Sequence, residues 1–430
     1  MKALLKTAAA ALAMVAAPVA AQDFTITNAT VGTGDGSEPT EGATVTVRGG
    51  KVVSVGTGAA PASGTVIDGT GKWVTPGIVV ALTDLGLYDV GAVSNSNDKG
   101  ASGARFDAAI DVSRAINPTS QHMQVSRAAG ITRALVAPNH GPSIFAGQGA
   151  IIDLGADPNA VVQPRAFQLV ELGETGARIA GGSRSAAYVE LGNALTEARA
   201  FSRGTWEGEN ALLTRADAAA LVPVVTGKQA LYVEVERAAD IRQVLAFKRA
   251  NSRLKLVLVG ASEGWIVAQD IARAGVPVIA DALDDLPSSF EQLGATQSNV
   301  GRMSDAGVKV AIGRLSGTTD GHPRSAAQFA GNLVALNNVP RASGLTWGEA
   351  LASITSIPAE IAGHKGKFGV IAPGATADLV IWDGDPLEVS TAPTRVFIDG
   401  VQQPLDSHQT ELAKRYRDLD ESDLPKAYDW

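Results

Sequence analysis

Two textures of apolar and polar positions succeed one another along this chain. From residue 23 to 75, short runs alternate with period two, as in Ala43-Thr-Val-Thr-Val-Arg48 and Lys51-Val-Val-Ser-Val55. Gly49-Gly50 and Asp68-Gly69 punctuate them, which predicts short strands and hairpins. From Pro76 onward, continuous apolar runs predict buried strands over Thr132–Ala137, Leu231–Glu236, Lys255–Gly260, Val276–Asp281 and Val308–Gly313. Between them the 3.6-residue period predicts helices over Ala239–Ala250 and Gly264–Ala274, the second closed by Gly275. Strand texture returns near Phe368, in Gly369–Trp382 and Arg395–Gly400. Residues 160–230 follow neither period, and an elaborated loop or subdomain is expected there.

Repeated strand–helix alternation at this spacing argues for a parallel sheet flanked by helices, and eight such units would close a barrel. The expected organisation is a leader over 1–21, a first β segment over 22–75 and a barrel over 76–367. A second β segment over 368–406 and a charged tail over 407–430 complete it. In the leader, Lys2 and Lys6 precede an apolar run from Ala8 to Ala17, then Pro18-Val-Ala-Ala21. That is the pattern of a secretory signal cleaved near Ala21, so a periplasmic or secreted protein is expected. The run is too short to span a bilayer, and no membrane span is expected elsewhere.

Composition narrows the chemistry. Among 430 residues there is no cysteine, which removes disulfides, thiolate zinc sites and cysteine nucleophiles together. A net charge of −8 leaves no basic footprint for nucleic acid. The hydrophobic fraction of 45% is that of an ordinary globular protein with an ample core. No nucleotide-binding glycine loop is present.

The segment Lys72–Gly86, KWVTPGIVVALTDLG, resembles the motif G-K-x-V-T-P-G-(L/I)-(I/V)-D-x-H-x-H that opens the barrel of the amidohydrolase superfamily. The stretch from Gly369 to Trp382 resembles the same superfamily's G-x-(I/L)-x-P-G-x-x-A-D-L-V strand block. Gly130-Ile-Thr-Arg133 and Leu351–Ala359 fit two further family segments between these ends. Asn117-Pro118 and Gly147–Ile151 are similar to the branch that includes imidazolonepropionases and secreted amidohydrolases. The resemblance implies a TIM-like (β/α)8 barrel beside a composite β-sandwich formed from both ends of the chain. It implies hydrolysis of non-peptide carbon–nitrogen bonds, cyclic amides or similar, on one or two divalent metals. A homodimer is the assembly it suggests, and a small molecule the partner.

The resemblance also locates what is missing. The two strand-1 histidines fall on Leu82 and Asp84, and the strand-5 histidine falls on Glu234, in a run Leu231–Asp240 that otherwise fits. The strand-6 histidine falls on Gly260, and the strand-8 aspartate on Leu315, preceded by Arg314. The histidines present, His122, His140, His322, His364 and His408, form no H-x-H pair. No zinc, and no other cofactor, is therefore expected.

Period two puts Tyr232, Glu234 and Glu236 on one strand face. Three arrangements remain open. Glu234 and Asp84, joined by Asp281 and Asp284, form an all-oxygen site for calcium or magnesium. Alternatively, Arg314 stands among these carboxylates as a permanent cation, or the carboxylates are simply solvated at the rim. Glu234 and Asp84 are the candidate catalytic residues, with Glu236, Arg314, Asp281 and Tyr232 as candidate binding residues. Two function classes follow: a hydrolase, or a barrel that has lost catalysis and binds a small molecule or an exported protein.

Overall fold

The computed structural model describes residues 21–58, 62–314 and 322–417. The expected leader before Ala21, Leu315 and the end of the tail lie outside those residues. Five strands come first: β1 (Phe24–Val31), β2 (Thr40–Arg48), β3 (Lys51–Thr57), β4 (Thr65–Asp68) and β5 (Trp73–Pro76). Eight follow from the middle of the chain: β6 (Ile78–Thr83), β7 (Ile131–Val136), β8 (Phe145–Asp153), β9 (Val161–Glu171), β10 (Ala230–Val235), β11 (Lys255–Gly260), β12 (Val278–Ala280) and β13 (Val310–Ile312). The last three are β14 (Leu379–Trp382), β15 (Pro393–Ile398) and β16 (Val401–Gln402).

The middle strands pair in the order β13-β12-β11-β10-β9-β8-β7-β6. The ends meet where Ala81 bridges Gly313 in parallel and the Arg314 amide donates to the Ala81 carbonyl at 2.9 Å. Gly313 is required at this seam, because a Cβ there would stand 2.5 Å from that same carbonyl oxygen. The result is a nearly closed eight-stranded barrel. Strands β10 and β11 read as apolar runs because both faces are covered. Leu231, Val233 and Val235 pack outward under helices, while Tyr232, Val257 and Val259 fill the interior.

The expectation of regular β/α alternation is corrected at one place. Strand β8 pairs antiparallel with both β7 and β9. The links over 137–144 and 154–160 are too short to carry a crossover helix, so the chain reverses direction instead. Residues 160–230, expected as a loop or subdomain, hold strand β9 and the helices Gly173–Ile179, Arg184–Ser202 and Arg215–Val225. The two longer helices start at Ser183 and Thr214, whose side chains accept from the backbone amides of Ser185 and Asp217.

Both ends of the chain share the second sheet, in the order β16-β15-β14-β5-β1-β2-β3 with β4 on β1. Phe24 on β1 stacks on Phe397 on β15 at 4.3 Å between ring centroids, although β5 and β14 lie between their strands. The sheet therefore curls round a core of Phe24, Ile26, Val45, Val74, Leu379 and Phe397. The chain leaves this sheet for the barrel at Gly77, where a Cβ would stand 2.1 Å from the Thr132 side chain. The tail begins as a helix over His408–Arg415. Among the described residues no helix is long and apolar enough to cross a membrane.

Candidate functional site

Parallel strands deliver their C-terminal ends to one mouth of a barrel, and side chains of unlike origin meet there. Strand β9 turns Phe167, Leu169 and Glu171 inward, and β10 turns Tyr232 and Glu234 inward. The two strands pair in register, with Glu234 beside Glu171. Below them, Phe167, four residues before Glu171, and Tyr232, two before Glu234, stack at 4.2 Å and close the floor. Tyr232 is 1% exposed, so this candidate binding residue is core and lies beneath the mouth instead of lining it. Above the floor is a cavity of about 530 Å³ lined by Leu82, Asp84, His140, Glu171, Glu234 and Arg314, among others.

Glu171 and Glu234 form a carboxyl pair at its centre. Burial raises the Glu171 pKa well above the usual range, and the neighbouring Glu234 charge and hydrogen bond push it the same way. His140, on the link after β7, places Nδ1 3.8 Å from Glu171 Oε2. The ligating atoms of His140, Glu171 and Glu234 all lie within 4.8 Å of one another, so these three residues could together hold one cation.

A second cluster stands beside the first. Arg314 Nη1 donates to Glu236 Oε1 at 2.5 Å and to Asp281 Oδ2 at 3.1 Å. Glu236 is buried, and its Oε2 accepts from the Ser262 amide at 2.9 Å and the Ser262 hydroxyl at 2.7 Å. Burial pushes Asp281 up to about 7, against the pull of Arg314, with Asp284 adding to the rise. Burial also works against the Arg314 charge, but Asp281, Glu236 and Glu234 outweigh it and hold the guanidinium charged. Across the mouth, buried Asp84 pairs with buried Lys99 at 3.6 Å.

Backbone strain gathers at the same strand ends. Leu82, Ala261 and Arg314 adopt φ of 55°, 52° and 59°, in the left-handed region that side chains disfavour. Gly260 has φ 84°, and a Cβ there would stand 2.2 Å from Glu236 Oε1. The missing side chain at 260 is thus the space that the Glu236 carboxylate fills.

Asp84, Glu234, Glu236, Asp281 and Arg314 all reach this end of the barrel, while Tyr232 does not. Glu171 and Lys99 are not among the residues the sequence singled out, and His140 stood there only as one of five histidines that form no H-x-H pair. The signal for Glu171 was the alternation Phe167, Leu169, Glu171, ended by Gly173. His322 lies elsewhere, accepting from the Arg324 amide with its ring 6.2 Å from that of His122.

Comparison with known proteins bears on the whole arrangement. Residues 236–402 match the model of the Amidohydrolase family Amidohydro_3. A segment of 60 residues is 48% identical to the amidohydrolase tasK of Hapsidospora irregularis, covering 14% of this chain and 6% of that protein. A segment of 99 residues is 36% identical to the imidazolonepropionase of Chromobacterium violaceum, covering 23% of this chain and 22% of that protein. The matches thus span less than a quarter of either relative. The fold is shared with an amidohydrolase from Thermotoga maritima MSB8 at a TM-score of 0.76 and 24% identity, covering 88% of this chain and 98% of that one. The family match runs from the end of β10 through β16, and the fold shared with the Thermotoga protein extends over most of the chain.

Proposed function

We propose that this protein hydrolyses a carbon–nitrogen bond of a small molecule, a cyclic amide or similar, with the Glu171–Glu234 carboxyl pair as its acid and base. The observation that carries this reading is the adjacency of the two carboxyls in a cavity large enough for such a ligand. Two carboxyls this close favour sharing one proton, because ionising both places like charges side by side. The ionised member takes a proton from water as the water oxygen adds to the amide carbon. The protonated member gives its proton to the nitrogen as the carbon–nitrogen bond breaks. Water is consumed, the ring opens to one product that carries both the new carboxyl and the new amine, and the pair again holds one proton. Positioned acid–base groups contribute about 10²–10⁴-fold each.

The superfamily resemblance implies zinc, and the donor set does not fit a two-zinc centre. Zinc takes imidazole, thiolate and carboxylate donors in tetrahedral array, and the two-zinc centre the resemblance implies draws on several histidines. Leu82 and Gly260 offer no side-chain donor, and among the described residues His140 alone brings an imidazole to the carboxyl pair. No step is therefore routed through zinc.

A second reading has its own support. Apolar Leu82 and the bound guanidinium of Arg314 line the cavity, which suits a barrel that holds a small molecule without turning it over. We further read the curled sheet as the composite β-sandwich of this superfamily, the protein as exported after cleavage near Ala21, and a homodimer as its assembly.

The test is a screen of cyclic amides with protein purified without chelators, run with and without a chelator and paired with elemental analysis. Chelator-insensitive turnover that disappears in Glu171→Gln supports the carboxyl pair. Chelator-sensitive turnover, or stoichiometric zinc, overturns it. Inert protein whose Tm rises with one of the compounds favours the second reading.

A further inference from the structure

We infer that Arg314 is a built-in cation standing in the electrostatic place of a metal ion, and that Glu236 and Asp281, which share its Nη1, take up a divalent cation only once its guanidinium is removed. The placement is specific. Arg314 follows the closing strand β13, and its amide makes the barrel seam with Ala81. Its left-handed φ of 59° is a conformation an arginine rarely adopts, and it persists because the seam and the ion pairs both hold it.

The carboxylates around it are arranged in advance. Glu236 occupies the space left by the absent side chain of Gly260 and is fixed by two bonds from Ser262. The Ser262 hydroxyl also donates to Asp284 at 3.3 Å, and Gln292 Nε2 donates to that hydroxyl at 3.2 Å. An unpaired carboxylate in this setting is costly, so the cluster needs a cation from somewhere. A guanidinium is planar, always charged and able to serve several carboxylates at once. It meets the need without a dissociable ion. The side chains involved are held on both partners, which sets this cluster apart from carboxylates loosely solvated at a rim. The buried Lys99–Asp84 pair repeats the device at the strand-1 end, with a second side-chain cation beside a position where the superfamily resemblance implies a metal ligand.

This inference concerns cation binding and stands whether or not the carboxyl pair catalyses hydrolysis. The experiment is titration of Mn²⁺ into the full-length protein carrying His140→Ala, which breaks the His140–Glu171–Glu234 group, and into the same protein with Arg314→Ala or Arg314→Lys added, read by calorimetry and by Tm. Manganese suits oxygen donors. The His140→Ala protein with Arg314 or with Arg314→Lys is expected to bind no stoichiometric Mn²⁺. Arg314→Ala is expected to bind one per chain, with an affinity gain on the order of a hundred- to a thousand-fold. Coulomb's law for a divalent ion and a unit charge about 4 Å apart at an effective dielectric near 20 gives more than this, so the stated gain is a lower bound.

Stoichiometric Mn²⁺ on the His140→Ala protein that retains Arg314 would overturn the inference, as would folded Arg314→Ala in that background that binds no better. Should Arg314→Ala be unfolded as purified, saturating Mn²⁺ is expected to restore its circular dichroism, and failure to do so also overturns it. No turnover is measured, so these outcomes are separate from the fate of the hydrolytic reading.

Discussion

Arg133 on β7 and Asp378, the residue before β14, are joined through two hydrogen bonds, Nε to Oδ2 at 2.7 Å and Nη2 to Oδ1 at 3.1 Å. The pair links the barrel to the curled sheet across 245 residues of sequence. Arg133 is buried, and Asp399 and Asp153 also surround it, at 2.8 Å and 3.6 Å. The Asp378 carboxylate in turn accepts from the Asp399 amide, and its carbonyl accepts from Gly77 where the chain changes sheet. Strands from the two ends of the chain are thus fastened to the barrel through one guanidinium.

Removing either partner leaves the other buried and unpaired. Arg133→Met is expected to destabilise the protein by about 3–5 kcal/mol, the usual consequence of breaking a buried ion pair from one side. Denaturant unfolding checks this. A change within error of zero would mean that the three carboxylates find water or other partners when Arg133 is gone.

Asp153 in the same network gives a pH dependence with a definite sign. Burial pushes its pKa up from 3.8 to about 6, against the opposing pull of Arg133. Between these values the native state holds a proton that the unfolded chain has released. Stability from this group is therefore full below about pH 4 and is lost as pH rises through about 6. The size is on the order of 2–3 kcal/mol at most. Denaturant midpoints measured from pH 3.5 to 7 should fall through this window, and Asp153→Asn should flatten the slope.

Much of the fold was legible because buried parallel strands announce themselves as apolar runs. β10 and β11 lie at the predicted positions to within a residue or so for that reason. Reversal of β8 was not legible, since Phe145–Asp153 has the same composition whichever way it runs, and only the lengths of its links decide. Strand β9 was lost because Gln163, Pro164 and Gln168 break its apolar pattern, and Glu171 was lost with it. Arg314 among carboxylates was one of three open arrangements, because no periodicity links it to Glu236 over 78 residues. Tyr232 was misread for a subtler reason. Period two assigns the face of a strand, but depth along the barrel axis decides whether that face is floor or mouth.

Gly260 supplies a test of the crowding around Glu236. Gly260→Ala adds a Cβ 2.2 Å from Glu236 Oε1 and forces a side chain into φ 84°. Left-handed strain alone costs about 1–3 kcal/mol. Adding Glu236→Ala to Gly260→Ala should recover part of the loss, because it removes the clash and leaves only the strain. A double-mutant cycle read by Tm checks this, and strict additivity would show that the two sites do not touch.

The carboxyl pair makes a prediction that neither a lone base nor a binding site shares. Glutamine keeps the shape and hydrogen bonding of glutamate but cannot take or give the proton. If Glu171 and Glu234 exchange roles within one turnover, Glu171→Gln and Glu234→Gln should each lower kcat by about 10²–10⁴-fold on any amide found to be cleaved. The double variant should lose little more than either single one, since residues acting as a unit are not additive. A lone general base at Glu234 would leave Glu171→Gln nearly active, and initial rates on the three variants separate the cases.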